Sequence, residues 1–389
     1  MNSGHLSVQT KKTPTNKVGA IRPLERADLS QISELYDASY GMSNSGAFEK
    51  LADYFEKVFF DNPWLEDGLR SLVYEEPNGQ ITAFAGVDVR RMVLHGRKIK
   101  VVAGGPLWSR LDEKQCAAGL MLLGRVLQGP QDLTVVGAND RVLPLWKFLG
   151  GHDHWLSGCR WFRPIRPAKL LLSQVCLPRW TAPFWWAGQP VALCMDSILQ
   201  KIPINPFRLA TSVVEEEPLN IHQMIDHLPE FLESSPLRPD YDPEFLRWLL
   251  DCSRGPVDHG EVIGSMVRDS NGKLIGWYVY YLFKDGFGQV VQIVTKPENV
   301  AKVMAHLFSS ARNRGANALF GRLDSIVAEV CSGRGFFHPY KHPSLLVHSS
   351  SKEMLSAALS TNAFMSRLDN EWVHGMFRHS NYGIPHYPR

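Results

Sequence analysis

Residues 71–103 read Ser71-Leu72-Val73-Tyr74-Glu75, then Pro77-Asn78-Gly79-Gln80, then Ile81-Thr82-Ala83-Phe84 on to Val89, then His95-Gly96, then Lys98 to Ala103. Apolar and β-branched runs alternate here with turn residues. Asn-Gly accepts the positive φ that a tight hairpin demands, so the stretch predicts three antiparallel strands. Downstream, Leu120, Leu123, Val126 and Leu127 fall on one side of a helix expected from Glu113 to Leu127. A buried strand over Leu133–Gly137, a helix over Asp140–Leu149 and a strand near Ser157–Arg163 follow. Upstream, Ala20–Leu24 reads as a short strand. Asp28 is placed to cap a helix bearing Leu29, Ile32, Leu35 and Tyr36, and a second helix spans residues 47–60. The alternation of both periods gives an α/β class with an α+β mixed sheet.

The pattern restarts later in the chain. Ser270-Asn271-Gly272-Lys273, flanked by Ser265–Arg268 and Leu274–Val279, repeats the first hairpin with Asn271 standing 193 residues after Asn78. The strand Asn317–Phe320, then Asp324 and a helix ending at Gly335, repeats Leu133–Val136, Asn139 and the helix ending at Gly150, at an offset of 185 residues. The chain of 389 residues is therefore expected to be a tandem of two similar halves, the second 8 residues shorter between the matched points. Residues 1–19 are polar and read as a disordered tail. The first half covers 20–165 and the second 206–389. Between them, 166–205 is a crossover rich in Pro and Trp, with Trp180, Phe184, Trp185 and Trp186 close together. These aromatics have two readings, packing between domains or a dip into a membrane interface.

Composition excludes several classes. Apolar residues are 44% and charged residues 21%, ordinary for a globular chain, and 31 Gly with 25 Pro are too few for a collagen-like or low-complexity one. A net charge of +3 argues against a dedicated nucleic-acid binder. Six cysteines occur singly with no CxxC pair, so zinc-ribbon and thioredoxin-like readings fail, and free thiols in a reducing cytoplasm are expected. The N-terminus has no apolar core of a signal peptide and no run is long enough for a transmembrane segment.

Two segments carry a family likeness: Leu111-Asp112-Glu113-Lys114-Gln115-Cys116-Ala117-Ala118-Gly119-Leu120, entering a helix, and Asn139-Asp140-Arg141-Val142-Leu143-Pro144-Leu145-Trp146-Lys147-Phe148-Leu149-Gly150. With Ile21-Arg22-Pro23-Leu24, Asp28-Leu29 and the meander, they make the first half resemble the GCN5-related N-acetyltransferase (GNAT) superfamily, and the second half resembles it more weakly. The resemblance implies two acyl-CoA N-acyltransferase domains in tandem. It further implies acetyl-CoA as co-substrate and a small-molecule or sugar acceptor, with a homodimer left open.

On that resemblance the cofactor-binding candidates are Leu107, Trp108 and Ser109 at the end of a splayed strand, Gln115, Cys116, Ala117, Ala118 and Gly119 at the pyrophosphate, and Asn139 and Trp146 along the pantetheine. A loop turning into a helix N-terminus offers free N–H groups and a positive dipole end to a phosphate; the alternative is an ordinary helix start. The family's small-residue positions are shifted here, and Leu120 stands at the last of them. Trp146 occupies the place of a Tyr that protonates the leaving thiolate, and an indole is no acid near neutral pH. Gly104-Gly105-Pro106 reads as a β-bulge or as a plain turn. Lys98–Leu107 contains no Asp, Glu or His, so Asp88 is a substitute base or a solvated carboxylate. Cys331 is a nucleophile or a core residue. His152/His154 and His338/His342 are metal ligands or loop residues. Asp242, in the polar run Pro236–Asp242, contacts an acceptor or caps a helix. The catalytic residues stay unassigned.

Two functions compete. One is an acyl-CoA-dependent acyltransferase moving an acetyl group to an amine or hydroxyl, with a sugar of a surface polysaccharide as one acceptor. The other is a non-catalytic GNAT-like scaffold, which the missing Tyr and carboxylate favour. Acetyl-CoA binding separates them.

Overall fold

The computed structural model describes residues 19–40, 48–110, 113–138, 143–174, 182–210, 214–255, 260–333, 335–337 and 344–370. The first run of elements is β1 (Ala20–Pro23), α1 (Leu29–Tyr40), α2 (Phe48–Phe60), β2 (Leu72–Glu75), β3 (Ile81–Leu94), β4 (Arg97–Ser109), α3 (Glu113–Leu127), β5 (Leu133–Ala138), α4 (Leu143–Phe148), β6 (His152–His154), α5 (Trp155–Gly158) and β7 (Arg160–Pro164). Two helices follow, α6 (Pro167–Gln174) and α7 (Ala182–Leu199). The second run is β8 (Glu215–Pro218), α8 (Ile221–Phe231), β9 (Leu237–Pro239), α9 (Pro243–Ser253), β10 (Glu261–Arg268), β11 (Leu274–Leu282), β12 (Phe287–Thr295), α10 (Val300–Asn313), β13 (Ala318–Arg322), α11 (Ser325–Cys331), β14 (Ser344–His348), α12 (Lys352–Leu359) and α13 (Arg367–Asn370).

The internal repeat is visible in the backbone. Gly79 and Gly272 hold φ of +83° and +77° at the tips of the β2–β3 and β10–β11 hairpins. Gly150 and Gly335 both hold +86° after α4 and α11, the left-handed geometry glycine supplies at a helix end.

One sheet has the order β1-β2-β3-β4-β5-β14-β6 with β9 added on β3, and the other β7-β13-β12-β11-β10-β8. Sheet membership departs from chain order at three places. β14, from late in the chain, lies between β5 and β6. β7, from the first run, pairs antiparallel with β13. β9 pairs with Met92–Leu94 of β3. The two runs also share a core in which Phe55, Phe84 and Trp108 belong to one cluster with Met224, Phe245 and Trp277. Trp64 stacks on Phe245 at 3.4 Å and 4°, and its Nε1 donates to Asp242 at 2.7 Å. Trp248 Nε1 donates to the Lys57 carbonyl at 3.0 Å.

Several local expectations change. Asp28 does not cap α1; it accepts from the Glu25 backbone and from Arg22 in a 3-10 turn ahead of that helix. The strand expected near Ser157–Arg163 is a one-turn helix followed by β7. Residues 166–205, read as a proline-punctuated crossover, contain the 18-residue helix α7 with Pro190 inside it. Pro190 lies on the exposed side of the helix. Asp196, buried, holds the α6–α7 pair together by accepting from the backbone N–H groups of Ala168 (2.8 Å) and Lys169 (3.1 Å).

Candidate functional site

β4 and β5 run parallel but pair only over Val101–Ala103 and Leu133–Val135. Beyond Ala103, β4 stays bonded to β3 while β5 goes on pairing with β14, so a gap opens between them. The cause is local. The β3–β4 register shifts between Ala85 and Val87, with Gly105-Pro106 passing the single residue Gly86. A Cβ on Gly105 would stand 2.8 Å from the Gly86 backbone, one on Gly86 2.6 Å from Pro106 Cδ, and one on Gly104 2.8 Å from Val136 Cβ. The glycine pair is thus a β-bulge and not a turn, and the close approach of backbones is what requires it.

The gap is lined from several elements. Leu107 of β4, Val136 of β5, Leu123 of α3, Leu346 of β14 and Trp146 of α4 form one cluster. Trp146 is 1% exposed, and its indole N–H is buried with no acceptor among the described residues. The backbone at Gly151 lies against the ring so closely that a Cβ there would overlap it. Trp108, the neighbour of Leu107, points to the opposite face and packs edge-on to Tyr36 at 5.2 Å. Its side chain is therefore turned away from the gap. Ser109 is half-buried at the strand's end, and a Cβ on Gly119 would lie 3.6 Å from its Cβ and Oγ, an ordinary contact.

α3 therefore begins over the end of β4. The N–H groups of its first turn have no partner within the helix. Gln115 and Cys116 are in that turn, their side chains outside the described residues; Ala117 is exposed and Ala118 packs on Ala83, Ala85 and Leu122. Asn139 lies outside the described residues.

The second half has the same framework with different contents. β12 and β13 pair only over Phe287–Val290 and Ala318–Gly321, with a register shift at Val279/Tyr280. The run before α10 is a 3-10 turn, Pro297–Asn299, with Glu298 in its first turn and Lys296 bonded to Glu230 at 2.7 Å. Asp324 caps α11 by accepting from Val327 N–H at 3.0 Å. Cys331 is fully buried among apolar neighbours and burial pushes its thiol up, so it is a core residue.

Between the two halves lies a polar cluster that sequence reasoning largely missed. Asp88, read as a substitute base or a solvated carboxylate, is buried. It accepts from Asn62 Nδ2 (3.0 Å) and from Arg90 Nη2, and burial pushes it up to about 6 despite both. The Arg90 guanidinium lies over Phe245 and Trp248 at 5.2 and 5.4 Å. Tyr241 donates to Asp369 of α13, and Gln292 donates to both (2.9 and 3.0 Å) while accepting from Trp277 Nε1 at 2.9 Å. Of these contacts, those of Arg90 with Phe245 and Trp248 join the two halves, while the Tyr241–Asp369–Gln292 bonds lie within the second. Asp242 caps α9, accepting from Phe245 N–H at 2.8 Å. His154 likewise accepts from Ser157 N–H at 3.1 Å, and no group able to hold a metal occurs among the described residues. His338 and His342 lie outside them.

No protein-family model matches the chain, and no curated protein does. Solved structures do. A GCN5-related N-acetyltransferase from Anabaena variabilis aligns with a TM-score of 0.52 at 10% identity over 86% of this chain and 73% of that one. A GCN5-related N-acetyltransferase from Kribbella flavida aligns at 0.51 and 13% identity, over 87% and 73%. A conserved protein of unknown function from Enterococcus faecalis, a probable N-acyltransferase, aligns at 0.52 and 10% identity, over 86% and 72%. The chain thus has the GNAT fold, in two GNAT-like domains. Among the described residues no helix is long and apolar enough to cross a membrane.

Proposed function

We propose that the chain is an acyl-CoA-dependent acyltransferase of the GNAT type, using acetyl-CoA in its first half (20–165), while the second half (206–389) shapes the acceptor side. One observation carries this reading: β4 and β5 part beyond Ala103 at the glycine bulge, and α3 begins directly after β4, its first-turn N–H groups without partners inside the helix. The structural neighbours' names support acyl transfer as the class. The pyrophosphate would lie at Gln115–Gly119, and Leu107, Asn139 and Trp146 would line the pantetheine, with Ser109 at the gap's mouth. The acceptor is a small molecule or sugar, such as a component of a surface polysaccharide, and the setting is the cytoplasm. An acceptor amine or hydroxyl attacks the thioester carbon, the C–S bond breaks, coenzyme A leaves as thiolate, and the acceptor's proton passes to water. Without a placed acid, catalysis rests on positioning and carbonyl polarisation.

Trp146, filling the gap's floor where an acid would be useful, favours a second reading, a non-catalytic scaffold of the same fold. Calorimetric titration with acetyl-CoA tests the choice. Wild type and Gly119→Ala should bind, since a Cβ at 119 meets only ordinary contacts. Gly119→Glu should lose binding by placing charge and bulk at the phosphate. Equal affinity in a folded Gly119→Glu variant would refute the assignment, and no binding by wild type would leave the scaffold.

A further inference from the structure

Large apolar side chains are exposed unevenly over this molecule. Among the described residues most of them fall between Leu171 and Ile204, while Met121, Phe148, Trp155 and Phe337 are scattered elsewhere. Leu171 of α6 is 68% exposed; Val191, Met195 and Ile198 of α7 are 59, 52 and 61% exposed; Ile204, just beyond, is 88% exposed. On α7, Ala192 and Asp196 form a narrow buried stripe at i, i+4 spacing. The rest of the helix from Pro190 to Ile198 faces outward with Ser197 as its one polar side chain, and Ser197 is turned onto its own helix, donating to the Leu193 carbonyl.

Charge follows the same segment. Residues 164–210 hold Arg166, Lys169, Arg179, Lys201 and Arg208 against the single acid Asp196, whereas the whole chain nets +3, so the remainder of the molecule is slightly negative. Asp196 is buried beneath the start of α6. Lys201 and Arg208 are exposed beside Ile198, Ile202 and Ile204. The outer face of this segment is therefore apolar with a cationic border and no anion among its described residues.

We propose that the α6–α7 hairpin and the turn after it, to Arg208, dock the protein on the surface of an anionic lipid bilayer, lying in the interface without spanning it. A helix apolar on its outward side inserts its side chains at the acyl boundary, and bordering Lys and Arg pair with anionic headgroups. A second copy of the chain is the poorer occupant, because a self-contact through this face would set like charges against one another. The surface lies on the crossover, not at the β4–β5 gap, and its test does not depend on acyl-CoA binding.

The test is co-sedimentation of the full chain with phosphatidylcholine vesicles with and without phosphatidylglycerol, at low and high salt, alongside sedimentation velocity of the protein alone. Binding is expected with phosphatidylglycerol, weakened by salt. Ile198→Asp with Ile204→Asp should weaken it roughly tenfold or more. Lys201→Glu with Arg208→Glu should do the same for phosphatidylglycerol vesicles. All four positions are exposed, so far- and near-UV circular dichroism should be unchanged. Failure of wild type to bind either vesicle overturns the proposal. So does binding that both variant pairs leave intact. A dimer that Ile198→Asp dissociates, with no vesicle binding, assigns the face to a second copy and overturns it as well.

Discussion

Replacing Trp146 with Phe separates two roles of the indole. Its volume seals the cluster of Leu107, Leu123, Val136 and Leu346, while its N–H is buried without an acceptor among the described residues. Trimming indole to phenyl leaves about 40 Å3, which at ~24 cal/mol per Å3 costs about 1 kcal/mol, and the lost apolar transfer adds about 1 kcal/mol. Against this, removing an unsatisfied buried donor returns about 1–3 kcal/mol. The terms nearly cancel, so Trp146→Phe should melt within about 2–4 °C of wild type, whereas Trp146→Ala should lose about 3–5 kcal/mol. If the free N–H is the donor that meets the bound cofactor, Trp146→Phe forfeits one hydrogen bond, and acetyl-CoA affinity should fall about three- to tenfold. Scanning fluorimetry gives the melting shift and calorimetric titration the affinity. A drop in stability as large as that of Trp146→Ala would show that the N–H is already satisfied inside the protein. Unchanged affinity in a stable Trp146→Phe would show that the indole does not face the ligand.

The bulge and the interface offer further tests. Gly105→Ala drives a methyl to within 2.8 Å of the Gly86 backbone, which cannot yield as a side chain would; urea unfolding should show about 1–3 kcal/mol lost, and acetyl-CoA binding should weaken with the gap's geometry. Asp88 is held at about 6, above its ordinary 3.8, by burial. The folded state then binds the proton more tightly, so this group's contribution is full below about 3.8 and is lost as pH rises through 6. Asp324, also pushed up to about 6, acts in the same direction. Asp88→Asn should flatten, but not abolish, the decline in stability between about pH 4 and 6, and an unaltered slope would contradict the burial argument.

Much of this architecture was legible in the chain because local chemistry decides it. Gly79 and Gly272 hold the positive φ that their Asn-Gly turns call for, and α3 ends where its apolar period does. What was hidden depends on contacts distant in sequence. The strand at Leu345-Leu346-Val347 was not anticipated, and nothing in runs as short as that or Trp161-Phe162 names the partner that β14 and β7 choose. The Pro- and Trp-rich run 166–205 reads only as a crossover, yet it holds α7 with Pro190 on that helix's exposed side. At the site, Leu107 and Trp108 were equal candidates; the pleat sends one toward the gap and the other into the common core. Asp88 reads in the sequence as a substitute base or a solvated carboxylate, and its burial with Arg90 follows from the second half packing over it, which no local motif records.

The exchange of β7 and β14 between sheets has a consequence for biosynthesis. β5 emerges from the ribosome about 200 residues before the strand that will lie beside it, a delay of roughly 10–40 s at ordinary translation rates. During that interval the edges of β5 and β6 are open to pairing with any other nascent chain. The first sheet is incomplete until β14 (Ser344–His348) has emerged, and the second draws β7 from the first run, so the halves cannot mature one after the other as independent domains do. A protein wired this way is expected to lean on chaperones during synthesis, and a ribosome that stalls after the first half would deliver an aggregation-prone fragment in place of a working module.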